Sequence, residues 1–107
     1  MANKKVETLL TKIKAIKNEL LTIEAMRPGS VTRQKYIRGE KTWLYWQISY
    51  TQNKRSKTEY LRDEFVSQIK TEVKNYKRFK TLVEKLVHLN IELSKERLKI
   101  LKNDRAI

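Results

Sequence analysis

The sequence predicts an α+β fold, mostly α, in which a small three-stranded antiparallel β-meander lies between two helices. Apolar residues recur at helical spacing near both ends of the 107-residue chain, whereas β-branched and aromatic residues gather in short runs between them. The length suits a single domain spanning residues 1–107. We expect the two helices to pack as an antiparallel, coiled-coil-like hairpin, because each carries one long apolar stripe.

The first helix is predicted over residues 3–26. Six apolar residues there are separated alternately by three and four positions, which is the seam of a heptad repeat. They are Val6, Leu9, Ile13, Ile16, Leu20 and Ile23. Pro28 and Gly29 then end the helix, because proline disfavours helical dihedrals at the residue before it and glycine accepts a positive φ.

The meander is predicted over residues 31–61, with strands at 31–37, 42–50 and 57–61 and polar turns at 38–41 and 51–55. Alternation along the middle strand puts Trp46, Ile48 and Tyr50 on one face, which we expect to be core. Trp43 and Tyr45 point the other way. They would cover a second apolar patch, meet a partner, or stack on bases.

The second helix is predicted over residues 62–104, a stretch without Gly or Pro. Its apolar stripe shifts phase between Tyr76 and Leu82, which leaves the continuity of the helix open. Lys70, Lys74 and Lys77 share another face, where they would contact phosphates or simply face solvent.

Charge is the main functional observation. The chain has 25 Lys and Arg against 12 Asp and Glu, a net charge of +13. Residues 27–62 hold nine basic and two acidic residues, together with both Trp and four of the five Tyr. Cations neutralise phosphates and aromatic rings stack on bases, so DNA or RNA is the expected partner. The candidate nucleic-acid-binding residues are Arg33, Lys35, Arg38, Lys41, Trp43, Tyr45, Lys54, Arg55, Lys57 and Arg62.

The composition argues against several other classes. The chain has no Cys and one His, His88, so thiolate or histidine metal clusters are excluded and no metal or other cofactor is expected. It has no Gly-rich phosphate loop or nucleophile motif, so we predict that it is not an enzyme. No apolar run has the length of a membrane span or a signal peptide, so we expect a cytoplasmic protein without a membrane partner.

Three motifs resemble a family of short, uncharacterised bacterial and phage proteins often encoded near transposase genes. The first is the Arg-Pro-Gly-Ser turn at 27–30, and the second is the aromatic strand Trp-Gln-Ile-Ser-Tyr at 46–50. The third is Asn-Tyr-Lys-Arg-Phe-Lys at 75–80, on the long helix. Many relatives carry a cysteine cluster after the first strand, where this chain has none in 37–42. The resemblance implies a mobile-element or phage context without an assigned activity.

Two functional hypotheses follow, with a purely structural coiled coil as a third possibility. The first is a non-enzymatic nucleic-acid-binding accessory protein, whose basic meander contacts phosphates and whose helices form a homodimer or dock on a larger protein. The alternative is a protein-interaction module, an adaptor or an inhibitor of a nucleic-acid enzyme, acting through the helices. The sequence leaves open the choice between DNA and RNA.

Overall fold

The computed structural model describes residues 3–105. In chain order it contains α1 (Lys4–Leu21), β1 (Ser30–Arg38), β2 (Lys41–Gln52), β3 (Arg55–Leu61), a 3₁₀ turn (Asp63–Phe65) and α2 (Val66–Arg105). The strands form one antiparallel sheet in the order β1-β2-β3. The predicted class, α+β and mostly α with a meander between two helices, is confirmed.

The chain divides into two compact units. The first, the sheet unit, is Glu24–Arg78, and the second, the helical unit, combines the segment up to Ile23 with the segment from Phe79. Helix α2 is continuous through the phase shift of its stripe, so it contributes to both units. It begins at Val66 rather than at 62, because a 3₁₀ turn occupies the preceding residues.

Helix α1 begins at Lys4, one residue after the predicted start, but ends before residue 26. The Asn3 side chain accepts hydrogen bonds from the backbone N–H groups of Lys5 and Val6, at 2.9 and 3.2 Å, and so satisfies two free donors of the first turn. The helix ends at Leu21, five residues earlier than expected. The residues after it leave the helical path because they are held elsewhere, as described below for Ala25 and Arg27.

The helical unit has its own small core. Leu9, Ile13 and Leu93 are buried together, and the partly buried Val6, Leu86 and Leu89 pack against them. Lys5 Nζ lies 3.1 Å from Glu96 Oε1, at the one position where the second helical stripe is interrupted by a charged residue. These contacts join the beginning of α1 to the last third of α2. The antiparallel, coiled-coil-like hairpin of the two helices stays a prediction.

Two-residue turns set the register of the sheet. Gly39 and Glu40 connect β1 to β2, with Gly39 at a φ of 65°. Asn53 and Lys54 connect β2 to β3, with φ values of 52° and 63°, the backbone of a type I′ turn. The expected five-residue turn at 51–55 is therefore wrong. The strands extend into it because a type I′ turn matches their twist and needs two residues only.

The sheet unit is built around Ile48, which is fully buried. Leu61 of β3 and Val66 and Val73 of α2 complete this cluster, as expected for a meander packed on the beginning of the long helix. Trp46 and Tyr50 pack against it, which confirms their assignment to the core face. Burying side chains of this size stabilises the fold by about 1.5–3 kcal/mol each.

The segment before the sheet is tied to α2 by two hydrogen bonds. The backbone N–H of Arg27 donates to the Glu72 carbonyl at 3.2 Å, and Asn75 Nδ2 donates to the Ala25 carbonyl at 2.9 Å. Both bonds hold this non-helical segment on α2, which explains why α1 does not continue to residue 26.

Candidate nucleic-acid interface

Alternation gives the sheet two different faces. The covered face carries Ile48 and packs on α2. The open face carries the intervening side chains, because paired residues of antiparallel strands point to the same side. Four aromatic residues lie on it, two of them in β2 and one in each outer strand: Tyr36, Trp43, Tyr45 and Tyr60.

The four aromatic side chains form two cross-strand pairs. The ring centroids of Tyr36 and Trp43 lie 5.6 Å apart, and those of Tyr45 and Tyr60 lie 6.5 Å apart, both tilted by less than 40°. Tyr60 is 69% exposed and Trp43 is 45% exposed. Ring pairs at these distances stabilise each other, so they form a broad aromatic surface open to solvent.

The rest of the open face is uncharged, except at one end of the sheet. Thr32, Gln34, Gln47, Ser49 and Thr58 separate or flank the rings, and some bond one another, as Gln34 Nε2 does to Thr32 Oγ1 at 3.0 Å. Between residues 30 and 61 the acidic residues are Glu40, in a turn, and Glu59, on the covered face. No carboxylate therefore lies on the open face to repel a phosphate.

Two cations lie at one end of the open face. Arg38 and Lys41 are directly paired on either side of the Gly39–Glu40 turn. Because β3 pairs with β2 only from Trp46 onwards, residues 35–44 form a two-stranded ribbon without a third strand. We call this segment the ribbon tip. Its side chains are exposed on both faces, Ile37 to 62% and Leu44 to 55%.

Arg33 and Lys35 lie in the same half of the sheet but on the covered face. The Arg33 guanidinium carbon is 5.5 Å from the centroid of the Trp46 ring, and Lys70 Nζ of α2 is 4.7 Å from it. Both distances suit cation–π attraction. Trp46 is thus already engaged by two cations and by the core.

Three of the remaining predicted cations, Lys54, Arg55 and Lys57, lie at the opposite end of β2, about 36 Å away at the usual rise of a strand. The fourth, Arg62, follows Leu61, which pairs with Trp46 in the middle of β2. Lys54 is in the tight turn, and Arg55 and Lys57 are on the covered face. Lys57 Nζ donates to Gln52 Oε1 at 3.3 Å, and Arg62 Nε lies 3.1 Å from Glu64 Oε1. The ten predicted residues therefore do not form one patch. The structure brings Arg38, Lys41, Trp43 and Tyr45 together on the open face and separates the others.

A hydrogen-bonded trio fixes the covered face at the end away from the ribbon tip. Tyr50 donates its hydroxyl to Glu59 Oε1 at 2.6 Å, and Arg27 Nη2 lies 3.4 Å from Glu59 Oε2. The Tyr50 bond, followed by Arg27, lowers the pKa of the Glu59 carboxyl below its ordinary 4.5. The same bond raises the pKa of Tyr50 above 10.0. The trio thus pairs the one acidic side chain of the strands with a cation, while 51% of the Glu59 side chain stays exposed.

Sequence reasoning missed Tyr36 and Tyr60 as members of the site. Their partners across the strands depend on the register, which is set by the length of the turns. The turn lengths could have supplied the signal, since a Gly-Glu or Asn-Lys pair between two alternating runs is compatible with a two-residue hairpin.

Comparisons with known proteins give no indication of the function of this protein. No protein-family model matches the chain, and no curated protein or solved structure is significantly similar to it. The resemblance carried by the three motifs therefore stays a prediction. Within residues 3–105 no helix is both long and apolar enough to cross a bilayer. The same residues contain no group of three or more His, Asp or Glu side chains placed to hold a metal ion.

Proposed function

We propose that the sheet unit binds nucleic acid through the open face, including the open-face side chains of the ribbon tip. The observation that carries this proposal is an aromatic sheet surface without carboxylates, ended by Arg38 and Lys41. Exposed tyrosine and tryptophan rings stack on bases, at about 1–3 kcal/mol per base. The cations beside them neutralise phosphates, and the binding is expected to weaken steeply with salt. Residues 24–78 have a net charge of +7, which favours encounter with a polyanion.

The function proposed is that of a non-enzymatic accessory protein. It acts in the cytoplasm, and the resemblance described above favours a mobile element or phage. Stacking requires bases that are accessible from one side, as in a single strand, a loop or a frayed end. We therefore expect single-stranded DNA or RNA to bind more tightly than duplex of the same length.

Fluorescence anisotropy of labelled 20-nucleotide DNA, RNA and duplex, between about 50 and 200 mM salt, tests the proposal. The wild-type protein should bind with a negative slope of log affinity against log salt. The variant Arg38→Ala/Lys41→Ala should flatten that slope by about 1.4 on a single strand, or about 0.7 for each lost phosphate contact. Lys14→Ala/Lys17→Ala in α1 is the control with the same charge change. Weak binding of all three polymers at the lowest salt would contradict the proposal.

A second candidate function, docking through the helices, is favoured by one observation. Val87, Ile91 and Leu98 of α2 are all at least half exposed and are spaced by four and seven positions, so they line one side of the helix. A second copy of the chain or a larger protein would cover this stripe. Sedimentation at several protein concentrations, with Ile91→Glu as the disrupting variant, distinguishes a dimer from a monomer.

A further inference from the structure

A groove in the sheet unit lies between the beginning of β1 and one side of α2. It has a volume of about 230 Å³, and we call it the lysine groove. Its floor is apolar and includes Val31 and the buried Val73. Its other lining residues are Ser30, Lys70, Lys74 and Lys77.

The three lysines are placed as a row along the groove. They are four and three positions apart on α2, so they share one side of the helix over about 10 Å of its length. Neither Lys74 nor Lys77 makes an ion pair within residues 3–105, and no acidic side chain lines the groove. Three ammonium groups without a carboxylate repel each other, and a bound anion would relieve this repulsion.

The row continues onto the sheet. Lys70 and Arg33 both lie against the Trp46 ring, so the first lysine of the helix row and one cation of β1 contact the same side chain. Lys35 follows Arg33 on the same face of β1. β1 is an edge strand of the sheet, so it alone separates this row from the open face.

We propose that the lysine groove is a phosphate-binding site that holds the backbone of the nucleic acid contacting the sheet unit. Each of its three lysines can neutralise one phosphate of the bound strand. This inference rests on the proposed function for the source of the phosphates. The chemistry of the groove, a row of ammonium groups over an apolar floor, would equally hold a short free polyphosphate.

The test uses Lys74→Gln/Lys77→Gln, because Lys70 also packs on Trp46 and is left in place. The matched control is Lys95→Gln/Lys102→Gln, with the same charge change on the same helix. Anisotropy with the 20-nucleotide strand should show at least a tenfold loss of affinity for the groove variant at 0.1 M salt, and a slope flatter by about 1.4. The control should change much less, and Lys74→Arg/Lys77→Arg should retain the wild-type affinity and slope. Circular dichroism and thermal unfolding establish that all variants are folded.

The outcomes separate this inference from the proposed function. Equal losses in the groove variant and its control would overturn the groove as a phosphate site while leaving nucleic-acid binding intact. If the wild-type protein binds no nucleic acid, the proposed function fails. Calorimetric titration with tripolyphosphate then tests whether the lysine groove binds phosphate groups by itself. Tripolyphosphate binding that is lost in Lys74→Gln/Lys77→Gln and kept in the control would support a free-phosphate site. Absence of such binding in the wild-type protein would overturn it.

Discussion

The two faces of the sheet differ in what they contribute, although the same strand supplies both. On the covered face β2 places Ile48 in a closed core, and on the open face it places the exposed Trp43 and the half-buried Tyr45. Exposed aromatic side chains contribute little to the stability of the fold, because they are not buried. A large exposed aromatic surface is instead typical of an interaction site. Neighbouring residues of this strand can therefore be changed to test stability and binding separately.

The largest expected effect comes from the covered face. Ile48→Ala should lower the free energy of unfolding by about 3 kcal/mol, because it removes buried methyl groups and leaves a cavity. Trp43→Ala should cost less than about 1 kcal/mol, since its ring is exposed and contacts chiefly Tyr36. Urea unfolding followed by circular dichroism measures both. A similar loss in the two variants would show that the faces are not separate in this way.

Gly29→Ala tests how closely the chain passes over the core. Gly29 has a φ of 142°, and a Cβ there would lie 2.8 Å from Ile48 Cγ1 and 3.1 Å from the Ser49 carbonyl oxygen. We expect a loss of about 2 kcal/mol or more from strain and overpacking. Gly39→Ala is the matched control, because its φ is 65° but nothing lies within 4 Å. It should cost about 1 kcal/mol, the ordinary cost of a left-handed residue.

The open face is tested by a pair of adjacent residues on the ribbon tip. Trp43→Ala should weaken single-strand binding about 5- to 100-fold, the value of one stacked base. Leu44→Ala, on the other face and exposed to a similar degree, should change the affinity less than twofold. Anisotropy titrations at 0.1 M salt measure both dissociation constants. If Leu44→Ala weakens binding as much as Trp43→Ala, the tip binds through both faces.

The trio of the covered face gives a pH dependence with a definite sign. The pKa of Glu59 is lower in the folded protein than its ordinary 4.5, chiefly through the Tyr50 hydroxyl bond. Its contribution to stability is therefore present above that value and is lost as pH falls through the folded pKa. Thermal unfolding between pH 3 and 7 should show a smaller acid loss for Glu59→Gln than for the wild-type protein. Glu40→Gln, in the exposed turn, should retain the wild-type profile.

The smallest effect is expected in the turn between β2 and β3. Lys54 has a φ of 63°. This left-handed conformation costs free energy for a residue with a Cβ, whereas glycine adopts it readily. Lys54→Gly should therefore stabilise the protein by about 0.5 kcal/mol, as for the Asn-Gly turns favoured in hairpins. Asn53→Gly should gain less, because asparagine tolerates this conformation better. Chemical unfolding measures both, and a loss of stability in Lys54→Gly would contradict the turn assignment.

Local pattern predicted the order of the elements and the division of β2 between two faces. It could do so because alternation and helical spacing are properties of consecutive residues. It failed where residues distant in sequence determine the end of an element. The end of α1 depends on the hydrogen bonds of Ala25 and Arg27 to α2. The same holds for the site. Ten basic and aromatic residues were predicted from composition, but only the register shows that Arg55 and Lys57 face away from Trp43.

The core of the helical unit has a consequence for how the chain acquires its structure. Ile13 and Leu93 meet across about 80 positions of sequence, whereas both hairpins of the sheet close through two-residue turns. Contacts between residues close in sequence form fast. Contacts between distant residues form more slowly, because the intervening chain must first be ordered. During synthesis α1 therefore leaves the ribosome before the part of α2 that it packs against. The delay is about 4–16 seconds, the time needed to add about 80 residues at 5–20 residues per second. Over that interval its many lysines must keep an uncovered apolar stripe in solution, a role for charge that is separate from any ligand.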